Sequence, residues 1–166
     1  MAESKHSISL LDTTTLSQLE GARVAIVYTE WNDNIVAEQI AGAERILQQH
    51  KAVLTGAYAV PGSFELPFAC KHLYETTKHK RDAPEAIVAF GAVIRGGTPH
   101  FEYVCKAVTE GITQLNISIP IPVIFGVLTL DTIEQAWERL GGAHGHKGEE
   151  AAITALKMIQ FTRNNK

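Results

Sequence analysis

Apolar side chains recur along this chain in two alternating rhythms, one of strands and one of helices. Arg23 to Tyr28 (RVAIVY) is a continuous apolar run that ends at polar residues, the pattern of a strand covered on both faces. Val36, Ile40, Ala43 and Leu47 then recur at helical spacing, with Asn32 or Asp33 available as the cap. Lys51 to Val60 returns to strand-like character and is punctuated by Pro61-Gly62. A helix begins near Ser63, and Pro67 is tolerable only in its first turn. After the solvated connection Lys78 to Pro84, Ala86 to Ala92 forms a third strand that feeds the turn Arg95-Gly96-Gly97. Phe101, Val104, Val108, Ile112 and Leu115 describe one helical face. Pro120 and Pro122 then lead into a fourth strand, Val123 to Val127. Asp131 and Glu134 have the spacing of a capping box for a short helix carrying Ile133, Trp137 and Leu140. The glycine-rich stretch from Gly141 to Gly148 stops it, and a last helix turns Ala152, Ala155, Leu156 and Ile159 inward.

The order β-α-β-α-β-α-β-α-α with short crossovers predicts an α/β three-layer sandwich, with a mostly parallel four-stranded sheet between helices. Residues 21–163 form the single domain, 1–20 an N-terminal arm and 164–166 a tail. The arm lacks a strong period. An extra N-terminal edge strand, added to a neighbouring subunit, is its physical candidate role, against plain disorder. Ligands of such sheets bind outside the carboxyl ends of the strands. The unusual segments 29–34, 61–65, 93–100 and 126–131 all follow strands.

Composition narrows the partners. A chain of 166 residues suits one core. Fifteen basic and eighteen acidic residues nearly cancel, which gives no support for nucleic-acid binding. Cys70 and Cys105 fall inside apolar helical patterns and read as buried thiols in a reducing compartment. The first nine residues lack the apolar core of a signal peptide, and no run matches a membrane span. No membrane partner and a cytoplasmic location are therefore expected.

Candidate chemistry gathers in the loops. Ile94 to His100 (IRGGTPH) places adjacent glycines after a strand, where backbone amides can converge on an anion. Gly97 and Thr98 are the candidate donors, and a tight turn with a helix cap is the plain alternative. The P-loop spacing and its lysine are missing, which disfavours a nucleoside triphosphate. His100 opens the next helix, and an imidazole titrating near about pH 6.5 suits proton transfer, although a lone histidine is usually ordinary surface. Trp31 can stack a flat heterocycle or simply plug the helix edge. Glu65 can accept hydroxyl hydrogen bonds from a polyol, and capping is the safer reading for Ser63. Arg139 and Lys147 are candidates for a doubly charged phosphate. His144 and His146 invite a metal, but no partner ligands are evident, so no metal site is assigned.

Taken in order, VYTEWND, VPGSFELP, GAVIRGGTPHFEYVC, IPVIFGVLTLDTIEQAWER and the segment near Lys147 resemble the lumazine synthase family over about residues 22–161. The resemblance implies a flavodoxin-like fold, a single pentamer or an assembly of pentamers, and active sites between neighbouring subunits. It implies riboflavin biosynthesis: 5-amino-6-ribitylamino-2,4(1H,3H)-pyrimidinedione condenses with 3,4-dihydroxy-2-butanone 4-phosphate, without a metal or organic cofactor. It would put the ring on Trp31, the ribityl chain near Ser63, Phe64 and Glu65, and Ala92, Val93 and Ile94 along the ring site. Gly97 and Thr98 would meet the phosphate while His100 moves protons. A neighbouring subunit would supply Phe125, Arg139 and Lys147, with Glu138 nearby. Two departures stand out: Glu30 where the family commonly has arginine, and His144-Gly145-His146 before Lys147 in place of alanine-glycine-asparagine. A noncatalytic flavin- or lumazine-binding shell protein is the alternative of a different class.

Overall fold

The computed structural model describes residues 12–14, 16 and 19–165. Strands β1 (Arg23–Thr29), β2 (Val53–Val60), β3 (Ala86–Ile94) and β4 (Val123–Leu130) form one parallel sheet in the order β2-β1-β3-β4. Among the described residues five helices accompany it: α1 (Asp33–Gln49), α2 (Leu66–Thr77), α3 (His100–Ser118), α4 (Glu134–Glu138) and α5 (Lys147–Asn164). A 3-10 turn, Ser63–Glu65, precedes α2. The result is the three-layer α/β sandwich that the alternation of patterns predicts, and it is the flavodoxin-like fold that the resemblance implies.

The strand pleat explains the two cores. Val24 and Ile26 of β1 point with Val88 and Phe90 of β3 toward α1 and α5. Ala25 and Val27 point with Ile87 and Ala89 toward α2 and α3. Both faces are covered, so neither strand shows polar alternation. Pro67 sits in the first turn of α2, as its missing N–H requires. On the other side α1 and α5 approach closely at Gly148, where an added Cβ would lie 2.2 Å from the Gln39 carbonyl oxygen.

Several expectations are corrected. Lys51 adopts a left-handed turn (φ 53°), so β2 starts at Val53. Strands β3 and β4 run on to Ile94 and Leu130 because their mutual pairing continues through those residues. Asn32 stands before α1 with φ 58°, but its side chain does not cap the helix; its amide donates to the Ala92 carbonyl at 2.8 Å and ties β1 to β3. The capping box at Asp131 does not form, because its carboxylate accepts a hydrogen bond from Arg95 Nε at 2.7 Å. Its N–H meanwhile donates to the Gln135 side chain at 2.8 Å. Helix α4 then stops at Glu138. Leu140 belongs instead to a small antiparallel hairpin, β5 (Leu140–Gly142) and β6 (Gly145–His146), inside the stretch expected to be only a stop. Gly141 and Gly145 supply its positive φ angles, 106° and 75°. Cys70 is buried as expected, whereas Cys105 is only half-buried. The start of the N-terminal arm, with its expected edge strand, lies outside the described residues, although Leu19 already packs into the core. No helix among the described residues is long and apolar enough to cross a membrane.

Candidate active site

Three strand ends and one helix start enclose a cleft of about 620 Å³. Trp31 comes from the end of β1, Ser63, Phe64 and Glu65 from the turn after β2, and Ala92, Val93 and Ile94 from the end of β3. His100 enters at the start of α3. A volume of this order admits a small heterocycle with a polar chain. Trp31 and Phe64 are 74% and 63% exposed, so their ring faces remain open to a ligand. Ser63 is buried and makes no helix-capping hydrogen bond, contrary to the safer reading of it. Its hydroxyl packs over Gly91, where an added Cβ would lie 2.9 Å from Ser63 Oγ.

The turn after β3 carries the glycines in which anion-binding amides are expected. Neither Gly96 nor Gly97 adopts a positive φ, and an added Cβ at either would meet nothing within 4 Å. The glycines leave the backbone open rather than satisfying a strained turn. Arg95 fixes the base of this segment. Its guanidinium binds Asp131 and the Glu102 carboxylate and lies 4.1 Å from the centroid of the Phe101 ring. Arg95 holds the Glu102 carboxyl below the ordinary glutamate range through that hydrogen bond. This hub had no local signal in the sequence, since Asp131 comes from another loop.

The remaining candidates do not enter the cleft of the same chain. Phe125 and Lys147 line a separate crevice of about 540 Å³ between β4 and α5. Lys147 Nζ meets Glu150 Oε2 at 2.6 Å there. Arg139 lies at the end of α4, where its Nη1 donates to the Gln135 carbonyl at 3.0 Å and lies 3.8 Å from the Glu138 carboxylate. The physical reason is topological. β4 is an edge strand, and its exposed side faces away from the ends of β1 and β2. Glu30, the departure noted beside Trp31, lines yet another crevice with Asp33 and Glu44.

The histidines of the hairpin also find protein partners. His146 Nδ1 accepts the Glu149 N–H at 3.4 Å, and Nε2 lies 3.0 Å from Glu38 Oε1. Both ring nitrogens are thus engaged by the protein. Among the described residues no group of three or more His, Cys, Asp or Glu side chains is placed to hold a metal. Burial pushes the Cys70 thiol up to about 12, so it stays a neutral packing group.

A family model described as 6,7-dimethyl-8-ribityllumazine synthase matches residues 21–163. The chain is 43% identical over 164 residues to the 6,7-dimethyl-8-ribityllumazine synthase of Parabacteroides distasonis, covering 98% of this chain and 99% of that protein. It is 46% identical over 165 residues to the protein of that name from Porphyromonas gingivalis, covering 98% and 99%. A relative so named from Phocaeicola vulgatus is 43% identical over 165 residues, covering 97% and 94%.

Proposed function

This chain belongs to the 6,7-dimethyl-8-ribityllumazine synthase family, and on that premise we propose how its residues divide the work. The reaction condenses 5-amino-6-ribitylamino-2,4(1H,3H)-pyrimidinedione with 3,4-dihydroxy-2-butanone 4-phosphate, giving 6,7-dimethyl-8-ribityllumazine, inorganic phosphate and water. Membership sets aside the noncatalytic shell-protein alternative.

The observation that carries the residue assignment is the cleft shared by Trp31, Glu65 and His100, which reach it from three different segments. Trp31 stacks on the pyrimidine ring, while Ala92, Val93 and Ile94 line its edge. Ser63, Phe64 and Glu65 hold the ribityl chain, with the Glu65 carboxylate accepting from its hydroxyls. The ring amine attacks the ketone and water leaves to form an imine. Phosphate is then eliminated, the ribityl-bearing nitrogen closes the second ring, and a further dehydration completes the lumazine. His100 moves protons in these steps. Holding both substrates together removes much of the entropic barrier.

Phosphate needs charge that this cleft lacks within one chain. Gly97 and Thr98 offer donors beside His100, and Arg139, Lys147 and Phe125 come from a neighbouring subunit, with Glu138 beside Arg139. The separation of Phe125 and Lys147 into a second crevice supports such sharing. Family membership further implies that the working protein is a homo-oligomer, a single pentamer or an assembly of pentamers, with small-molecule substrates. Mixing the two named substrates with assembled protein should produce lumazine absorbance and released phosphate together. Intact, assembled protein that forms neither product would overturn the assignment.

A further inference from the structure

His146 has no part in the roles assigned above, yet its side chain is only 9% exposed and every polar atom of its ring is engaged. Because Nδ1 accepts the Glu149 N–H, Nε2 carries the hydrogen and donates it to Glu38. The imidazole fills a slot over α1 that exists because residue 42 is glycine. A Cβ there would stand 2.2 Å from His146 Cε1. The acceptor is itself held, since Arg45 reaches Glu38 at 3.3 Å and Glu149 at 3.1 Å.

The position of this residue in the hairpin is what gives the contact its meaning. Leu140 and His146 are directly paired partners of β5 and β6. Arg139 immediately precedes that pair and Lys147 immediately follows it, and the Lys147 N–H donates to the Arg139 carbonyl at 2.8 Å. Residues 141–145 include three glycines, the residue with the most backbone freedom to lose, and a two-stranded hairpin by itself is marginal in water. Packing outside the hairpin must therefore set where the two flanking cations stand: Leu140 anchors β5 in the apolar cluster of Ile35, Leu128 and Leu130, and His146 anchors β6 on α1.

The geometry points to His146, seated in the Gly42 slot and bonded to Glu38, as the positioning residue that sets Arg139 and Lys147 for the phosphorylated substrate. It touches no substrate; it acts through the Leu140–His146 pair. The inference rests on the reading that Arg139 binds phosphate, and the test separates the two.

Steady-state kinetics on the assembled enzyme, varying each substrate in turn, decide it. Arg139→Ala is the reference and should raise KM for the phosphorylated ketone. His146→Ala should raise the same KM by on the order of tenfold or more, leaving KM for the pyrimidinedione within about twofold. Gly42→Ala should reproduce that selective rise, because its methyl group expels the imidazole. The double variant should be no worse than His146→Ala alone, since the slot is then already empty. Glu38→Gln keeps an acceptor oxygen and should stay near wild type, whereas Glu38→Ala should follow His146→Ala. Should His146→Ala fail to assemble, the Gly42 and Glu38 variants carry the same test. A normal ketone KM in these variants, with Arg139→Ala impaired, overturns the positioning role. An unimpaired Arg139→Ala overturns the phosphate reading, and the positioning role with it.

Discussion

His100 and Trp31 show how differently two residues of one cleft can be tested. His100 opens α3 at the mouth of the cleft, and its proposed work is proton transfer. His100→Ala should lower kcat by ~10²–10⁴ with little change in either KM, followed by lumazine absorbance. An unchanged kcat would remove it from the mechanism. Trp31 is 74% exposed, so its indole contributes little to the core. Trp31→Ala should therefore raise KM for the pyrimidinedione while the thermal midpoint stays within a few degrees, about what a change under 1 kcal/mol produces. A large loss of stability would mean that the indole packs rather than binds. The sequence singled out both residues as candidates, each with a plain structural alternative, and tertiary structure adds that they line one cleft. The buried role of Ser63 was not legible, because it depends on the absence of a side chain at Gly91 from a different strand.

Among elements, the contact between α1 and α5 is the most demanding. Gly148 brings α5 against the backbone of Gln39, a neighbour with no flexible end to give way. Gly148→Ala should cost about 1–3 kcal/mol by chemical denaturation, as overpacking does. Neutral stability would show that the two helices can slide apart. Glu85 joins other elements: it accepts the Arg23 N–H at 3.1 Å and two guanidinium bonds from Arg163 of α5, at 2.9 and 2.8 Å. Partial burial alone would raise its pKa, but these donors outweigh it and hold the carboxyl below the ordinary glutamate range. A lowered folded pKa contributes stability that is present above the ordinary value and is lost as pH falls through the depressed one. Glu85→Gln should thus flatten the acid limb of stability against pH, and unchanged limbs would contradict the linkage. The helices and strands themselves followed from periodicity. The hairpin at residues 140–146 did not, because the three glycines in its strands read as a breaker until the pairing of Leu140 with His146 is seen.

At the scale of the whole molecule, the cleft and the proposed phosphate cations belong to different parts of the surface of each chain. If neighbouring subunits share the site, two impaired variants should complement each other when assayed at a ketone concentration well below the raised KM of Arg139→Ala. Co-assembling equal amounts of His100→Ala and Arg139→Ala chains at random should restore about one quarter of the sites, because one neighbour supplies each intact residue. Activity no higher than that of the separate variants, with mixed assembly confirmed by sedimentation, would place both residues within a single chain's site.

The sequence alone determined the layers of the fold, since buried parallel strands and amphipathic helices leave periods that depend only on local geometry. It also marked the loops after the strands as the chemical end and carried motifs sufficient to identify the family. Tertiary structure decided which loop residues share a cleft, that Arg95 ties two loops through Asp131, and that His146 is locked between Glu38 and Gly42. The last two join residues from 36 to 108 positions apart, and the packing of the folded chain, rather than any local period, brings such residues together.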